Sequence, residues 1–154
     1  MDLTDIISVK QVAPHFKARC KKQALEALAG FAAEAIGGDP AELLRTLQER
    51  ERLGSTGMGG GVAIPHGRLP GLSRIYGFLA LLDEPIDFEA VDGEPVDIIF
   101  LLLTPDQSGA EHLKALARIS RVLRDRQVCE ALRGARSAEA ALAILSLRAT
   151  SDAA

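Results

Sequence analysis

Apolar residues recur along this chain in two different rhythms. From Lys17 to Ile36 they return at three- and four-residue steps, with Leu25, Leu28, Ala32, Ala35 and Ile36 on one stripe. This is the spacing of a helix with one buried face. Gly37 and Gly38 supply a left-handed stop. Asp39, Pro40 and Glu42 then read as the N-cap, first residue and capping-box partner of a second helix, whose stripe is Leu43, Leu44 and Leu47. Further on come two nearly continuous apolar runs, IYGFLALL from Ile75 to Leu82 and VDIIFLLL from Val96 to Leu103. Such runs predict strands covered on both faces, and so an α/β fold with its sheet sandwiched by helices.

The other segments complete this order. Thr4 caps a short helical turn, and Val9 to Phe16 reads as a short strand interrupted at Pro14, with His15 in a surface or packing role beside it. Asp92–Gly93 is a turn signal, and Pro95 makes the piece between the two apolar runs irregular or an edge. Ser108 and Glu111 form a capping box for a helix to about Arg124, with a core stripe of Leu113, Leu116, Ala117, Ser120 and Leu123. Lys114, Arg118 and Arg121 share another face, as a solvated stripe or a docking surface for an acidic partner. A short helix near Val128–Leu132 follows, then a last one capped by Ser137. The expected organisation is one domain over 1–148 and a disordered tail over 149–154.

Composition narrows the function. A chain of 154 residues with 47% apolar content can bury a sizeable core, which aliphatic side chains must fill because aromatics are only 4%. A net charge of −3 argues against an ordinary nucleic-acid binder. Cys20 and Cys129 lie far apart, without metal-type spacing, and read as idle thiols of a reducing cytosol. No apolar run approaches a membrane span, and the N-terminus lacks the basic and apolar regions of an export signal. These features predict a soluble cytoplasmic protein.

The densest candidate chemistry lies in GSTGMGGGVAIPHGRL, Gly54 to Leu69. Val62, Ala63 and Ile64 read as a strand, Pro65 ends its pairing, and His66 follows at the strand end. Gly67 is expected to turn the backbone and leave the imidazole unshielded. The glycines are not a nucleotide loop. Gly60 and Gly61 stand where a Walker motif needs Lys and Ser/Thr, Val62 fills the last slot of GxGxxG, and a helix precedes the loop where a strand should. Gly59, Gly60 and Gly61 are then either a flexible connector or bare backbone over which a protein partner approaches His66.

The three histidines, His15, His66 and His112, show no metal-ligand spacing, and no G-x-S-x-G elbow is present. What remains for His66 is to carry a group itself. Phosphoryl transfer would need cations, backbone donors and an unprotonated attacking nitrogen. Arg50 and Arg52 end the helix before the loop, Gly67 offers an unhindered N–H, and His112 falls in the first turn after Ser108, where a helix dipole disfavours imidazolium.

RERLGSTGMGGGVAIPHG, Arg50 through Gly67, strongly resembles the active-site signature of enzyme IIA domains of the fructose/mannitol class of the phosphotransferase system. VDIIFLLLTP followed by EHLKALARIS resembles that family's second block. The likeness runs from about Leu3 to Leu147, and the form on a free-standing domain is most similar to the nitrogen-regulatory branch. It implies a mixed sheet flanked by helices, the type-2 enzyme IIA fold. It implies that His66 is phosphorylated by a histidine-phosphorylated carrier of the HPr type, that His112 helps form the phosphate pocket, and that Arg50 supports the phosphoryl group. Arg52 has no match. No cofactor or metal is implied. The phosphorylation state of His66 would control other proteins, of which potassium-transport and sensor-kinase systems are typical. The alternative is a sugar-uptake component that passes phosphate to a separate IIB protein. A pure binding module with a structural His66 stands outside the family reading.

Overall fold

A computed structural model describes the backbone of residues 2–153 and the side chains of 2–147. The side chains of the expected tail lie outside the described residues. The order is a pair of 3-10 turns, β1 (Val12–Phe16), α1 (Lys21–Ile36), α2 (Pro40–Arg52), β2 (Gly57–Gly59), β3 (Val62–Ala63), β4 (His66–Leu69), β5 (Tyr76–Ile86), β6 (Val96–Pro105), α3 (Gly109–Leu123), α4 (Arg126–Gly134) and α5 (Ala138–Ala153). The strands form one mixed six-stranded sheet in the order β1-β5-β6-β3-β2, with β4 also on β6. β5 runs antiparallel to β6, whereas β3 and β4 both run parallel to it, Val62 opposite Ile98 and His66 opposite Leu102.

The two apolar runs are β5 and β6, and strand alternation explains why they are apolar throughout. Ile98, Phe100 and Leu102 enter a core with Ile119, Val122 and Leu132 on the α3–α5 side. Ile99, Leu101 and Leu103 enter a second core with Leu25, Leu28, Leu43 and Leu47 on the α1–α2 side. Each face needs its own helical layer, as the sequence predicts. Pro14 sits in β1, which lies at the end of the strand order, and the register shifts between Ala13 and Phe16. A residue without an N–H is tolerated there.

Helix ends follow local chemistry more closely than helix faces do. Gly37 adopts φ 76° and returns its N–H to Ala33, and the Asp39 carboxylate accepts from the Ala41 N–H at 3.1 Å. α1 begins only at Lys21, and Ala35 is exposed. The capping box at Ser108 does not form, because the Ser108 hydroxyl donates instead to the Pro105 carbonyl at 2.6 Å. The buried stripe of α3 is His112, Ala115, Ile119, Val122 and Leu123, which leaves Leu113 63% exposed. The sheet selects which side of α3 is covered, and it selects the side bearing the histidine.

Candidate functional site

Pro65 interrupts pairing for only a moment. Its carbonyl accepts from the Leu102 N–H at 2.9 Å, and β4 resumes on β6 with His66 as its first residue. In this parallel register the Gly67 N–H points to β6 and is taken up by the ladder. This corrects its expected place among the phosphate donors. Gly67 is also not a turn. A Cβ on it would meet Thr46 Cγ2 at 2.8 Å, so it is glycine because α2 lies directly against β4. Alternation then puts His66 and Arg68 on the opposite, α3-facing side.

α2 reaches the same point from its own stripe. Thr46 rests on Gly67, and Arg50, one turn later, donates from Nε to His66 Nε2 at 3.2 Å and from Nη1 to the Gly54 carbonyl at 2.9 Å. His66 Nδ1 lies 2.8 Å from the Ile64 carbonyl. A carbonyl only accepts, so Nδ1 carries the proton and Nε2 presents its lone pair. Burial chiefly holds the His66 pKa below its ordinary 6.5; the Ile64 carbonyl opposes this, the Arg50 charge adds to it, and Glu51 opposes it.

α3 delivers the second imidazole. The His66 and His112 ring centroids are 5.6 Å apart, tilted by 53°. His112 Nδ1 and the buried Thr104 hydroxyl are 2.6 Å apart, which fixes the ring. Burial, then the charges of Arg68 and His66, keep the His112 pKa low as well. Both imidazoles are therefore neutral at pH 7.

Sequence reading missed Arg68, Glu51 and Thr104. Arg68 was legible as the residue two places beyond His66 on a strand. Glu51 was not: its carboxylate accepts from the Thr56 N–H at 3.1 Å and from the Thr56 hydroxyl, and pairs with Lys21 at 2.9 Å. These bonds pin the loop after α2. Ser55 adds a bond to the Phe88 carbonyl at 2.8 Å. Arg52 is exposed, and it is Arg50 that bonds to His66.

The glycines lie elsewhere. Gly59, Gly60 and Gly61, with φ of 100°, 68° and 83°, make the β2–β3 turn. Asp92 accepts from the Gly60 N–H at 3.0 Å, and Arg133, paired to Asp97 at 2.8 Å, donates to the Gly60 carbonyl at 2.9 Å. A Cβ on Gly61 would meet that guanidinium at 2.5 Å. The turn lies by Asp97 and Ile98, four residues along β6 from Leu102 and hence roughly 13 Å from His66. These glycines therefore lie beside the His66 pocket, bonded to Asp92 and Arg133, and not within it.

Among the described residues, no His/Cys/Asp/Glu group could hold a metal, and no helix is long and apolar enough to cross a membrane. Two imidazoles with available nitrogens, cations on both sides and a mixed sheet between helical layers define a histidine site on an enzyme IIA fold. Residues 5–147 match the family model described as phosphoenolpyruvate-dependent sugar phosphotransferase system, EIIA 2, and the chain belongs to that family, whose members take part in phosphotransfer between proteins. The chain is 50% identical over 147 residues to the nitrogen regulatory protein of Bradyrhizobium diazoefficiens, covering 96% of each. Its fold is similar to the crystal structure of nitrogen regulatory protein IIA-Ntr from Neisseria meningitidis, with a TM-score of 0.87, 35% identity and coverage of 92% of this chain and 97% of that one. It also shares its fold with the complex of enzyme IIAMTL and phosphorylated enzyme IIBMTL from Escherichia coli, with a TM-score of 0.76, 18% identity and coverage of 90% and 96%.

Proposed function

We propose that this protein is a cytoplasmic regulatory phosphocarrier. His66 Nε2 accepts a phosphoryl group from the phosphohistidine of an HPr-like carrier, and the resulting charge controls partner proteins in nitrogen or potassium regulation. The observation that carries this reading is the fixed tautomer: Ile64 holds the proton on Nδ1 at 2.8 Å, so the Nε2 lone pair faces outward to Arg50. In the step, a bond forms from Nε2 to phosphorus while the donor's N–P bond breaks. No proton need leave His66, because Nδ1–H stays on the Ile64 carbonyl. Arg50 then exchanges the nitrogen for phosphoryl oxygens, and His112 and Arg68 flank the developing charge. The identity to a nitrogen regulatory protein favours regulation over sugar uptake.

The test is incubation with phosphoenolpyruvate, an enzyme I and its carrier. One phosphoryl group per chain, lost in His66→Ala, is expected; labelling that survives the substitution overturns the assignment. Transfer onward to a sugar-specific IIB protein would replace the regulatory reading with the sugar-uptake one.

A further inference from the structure

Lys21 and Glu51 form a charged pair enclosed between α1 and α2. Lys21 opens α1 and Glu51 lies in the last turn of α2, with Nζ and Oε2 2.9 Å apart and side chains only 16% and 6% exposed. Taking two charges out of water commonly costs more than their attraction returns, so stability alone is a weak reason for such a pair. What the pair touches gives it another use. The Glu51 carboxylate accepts from the Thr56 N–H at 3.1 Å and from the Thr56 hydroxyl. Lys21 also stands 5.0 Å over the Phe88 ring, and the Phe88 carbonyl accepts from the Ser55 hydroxyl at 2.8 Å. Ser55 and Thr56 are thus both held by residues that Lys21 contacts. Gly54, just before them, is where Arg50 is anchored. Its carbonyl accepts from Arg50 Nη1 at 2.9 Å, while Arg50 Nε donates to His66 Nε2 at 3.2 Å. A glycine at φ 153° gives this segment no stiffness of its own. Fixing an arginine side chain costs rotamer freedom, so its aim depends on that second anchor.

The geometry points to Glu51, held by Lys21, as a positioning residue for Arg50. By pinning the segment after α2 it fixes the Gly54 carbonyl, which aims the guanidinium at His66 and at the phosphoryl group that takes the place of their contact. This role rests on the reading of His66 as the phosphoryl acceptor.

The double variant Lys21→Met/Glu51→Leu removes both charges and frees the segment. Glu51→Leu alone leaves Lys21 buried without its partner, so the double variant should have the higher urea midpoint of the two. It should not regain transfer. Single-turnover phosphorylation of His66 from phosphoenolpyruvate, enzyme I and carrier should stay at least about tenfold slower than in the parent. In an Arg50→Gln background the same double substitution should slow transfer by less than about twofold more, because nothing is left to position. The Arg50 Nε–H gives a readout independent of transfer: its NMR signal, protected in the parent by His66, should be lost to solvent exchange in the double variant. Transfer that recovers along with stability, equal slowing in both backgrounds, or an Nε–H signal that persists would overturn the proposal. Should the double variant not fold, Thr56→Val, which removes one of the two bonds from Glu51 to the segment, should lose the same signal and slow transfer; retention of both overturns it equally. A parent chain that takes up no phosphoryl group refutes the acceptor role of His66 instead, and the Nε–H signal then decides alone whether Glu51 positions Arg50.

Discussion

Arg50 and His66 meet through Nε and Nε2 at 3.2 Å, across the junction between α2 and β4. The guanidinium cannot give up its proton, so this contact requires an unprotonated Nε2. It holds the imidazole in the form needed for attack and places a cation where an anion must later sit.

Replacing Arg50 by Gln removes both functions. Phosphoryl transfer to His66 should fall roughly a hundredfold, the usual effect of losing one preorganised donor. The His66 pKa should rise, because the Arg50 charge is among the causes that lower it. Rapid-quench kinetics and imidazole NMR titration read the two effects separately. A variant with slowed transfer and an unmoved His66 titration would place Arg50 in donor docking instead.

Thr104 acts through His112. Thr104→Val leaves His112 Nδ1 buried without its 2.6 Å partner and should cost about 1–3 kcal/mol in urea unfolding, whereas Thr104→Ser should stay close to the parent. Transfer should slow in the Val variant as His112 loses its orientation. Equal stability of the Val and Ser variants would show that the hydroxyl holds nothing.

Folding stability should depend on pH through both imidazoles. Their folded pKa values lie below the ordinary 6.5, so the unfolded chain binds more protons in the window beneath it. Stability is then complete above pH 6.5 and lost as pH falls through that window. Urea midpoints measured from pH 7.5 downward should decline, and His66→Gln and His112→Gln should each flatten the decline. A midpoint that rises on acidification contradicts the neutral pair.

Gly67→Ala should destabilise by roughly 1–3 kcal/mol through overpacking against Thr46, whose Cγ2 would stand 2.8 Å from the new methyl. It should also slow phosphorylation by pushing β4 from α2 and His66 from Arg50. Thr46→Ala in the same chain should restore most of both. Failure of that rescue would move the cause from packing to the backbone.

Much of this molecule is decided by nearest neighbours. The αL stop at Gly37, the cap at Asp39 and the two doubly covered strands depend on residues a few positions apart, and each formed as local chemistry dictates. His66, His112 and Arg50 were legible as candidates because their residue types and the motif around them limit the chemistry. Their meeting was not legible, since it depends on how α2 and α3 pack on opposite faces of β4 and β6. The sheet also turns α3 so that His112 is buried and Leu113 is not, against the expected stripe. Gly67 shows the division most clearly. Its lack of a side chain is written in the sequence, but the reason is Thr46, 21 positions earlier, which only the folded chain brings against it. The same register gives the Gly67 amide to β6, while the Ile64 carbonyl, two residues back, holds the proton of His66 on Nδ1. Sequence alone determined which groups could do chemistry; tertiary packing decided which donors reach the free nitrogen of His66, because Arg50 and His112 come from helices that only the packed layers bring to it.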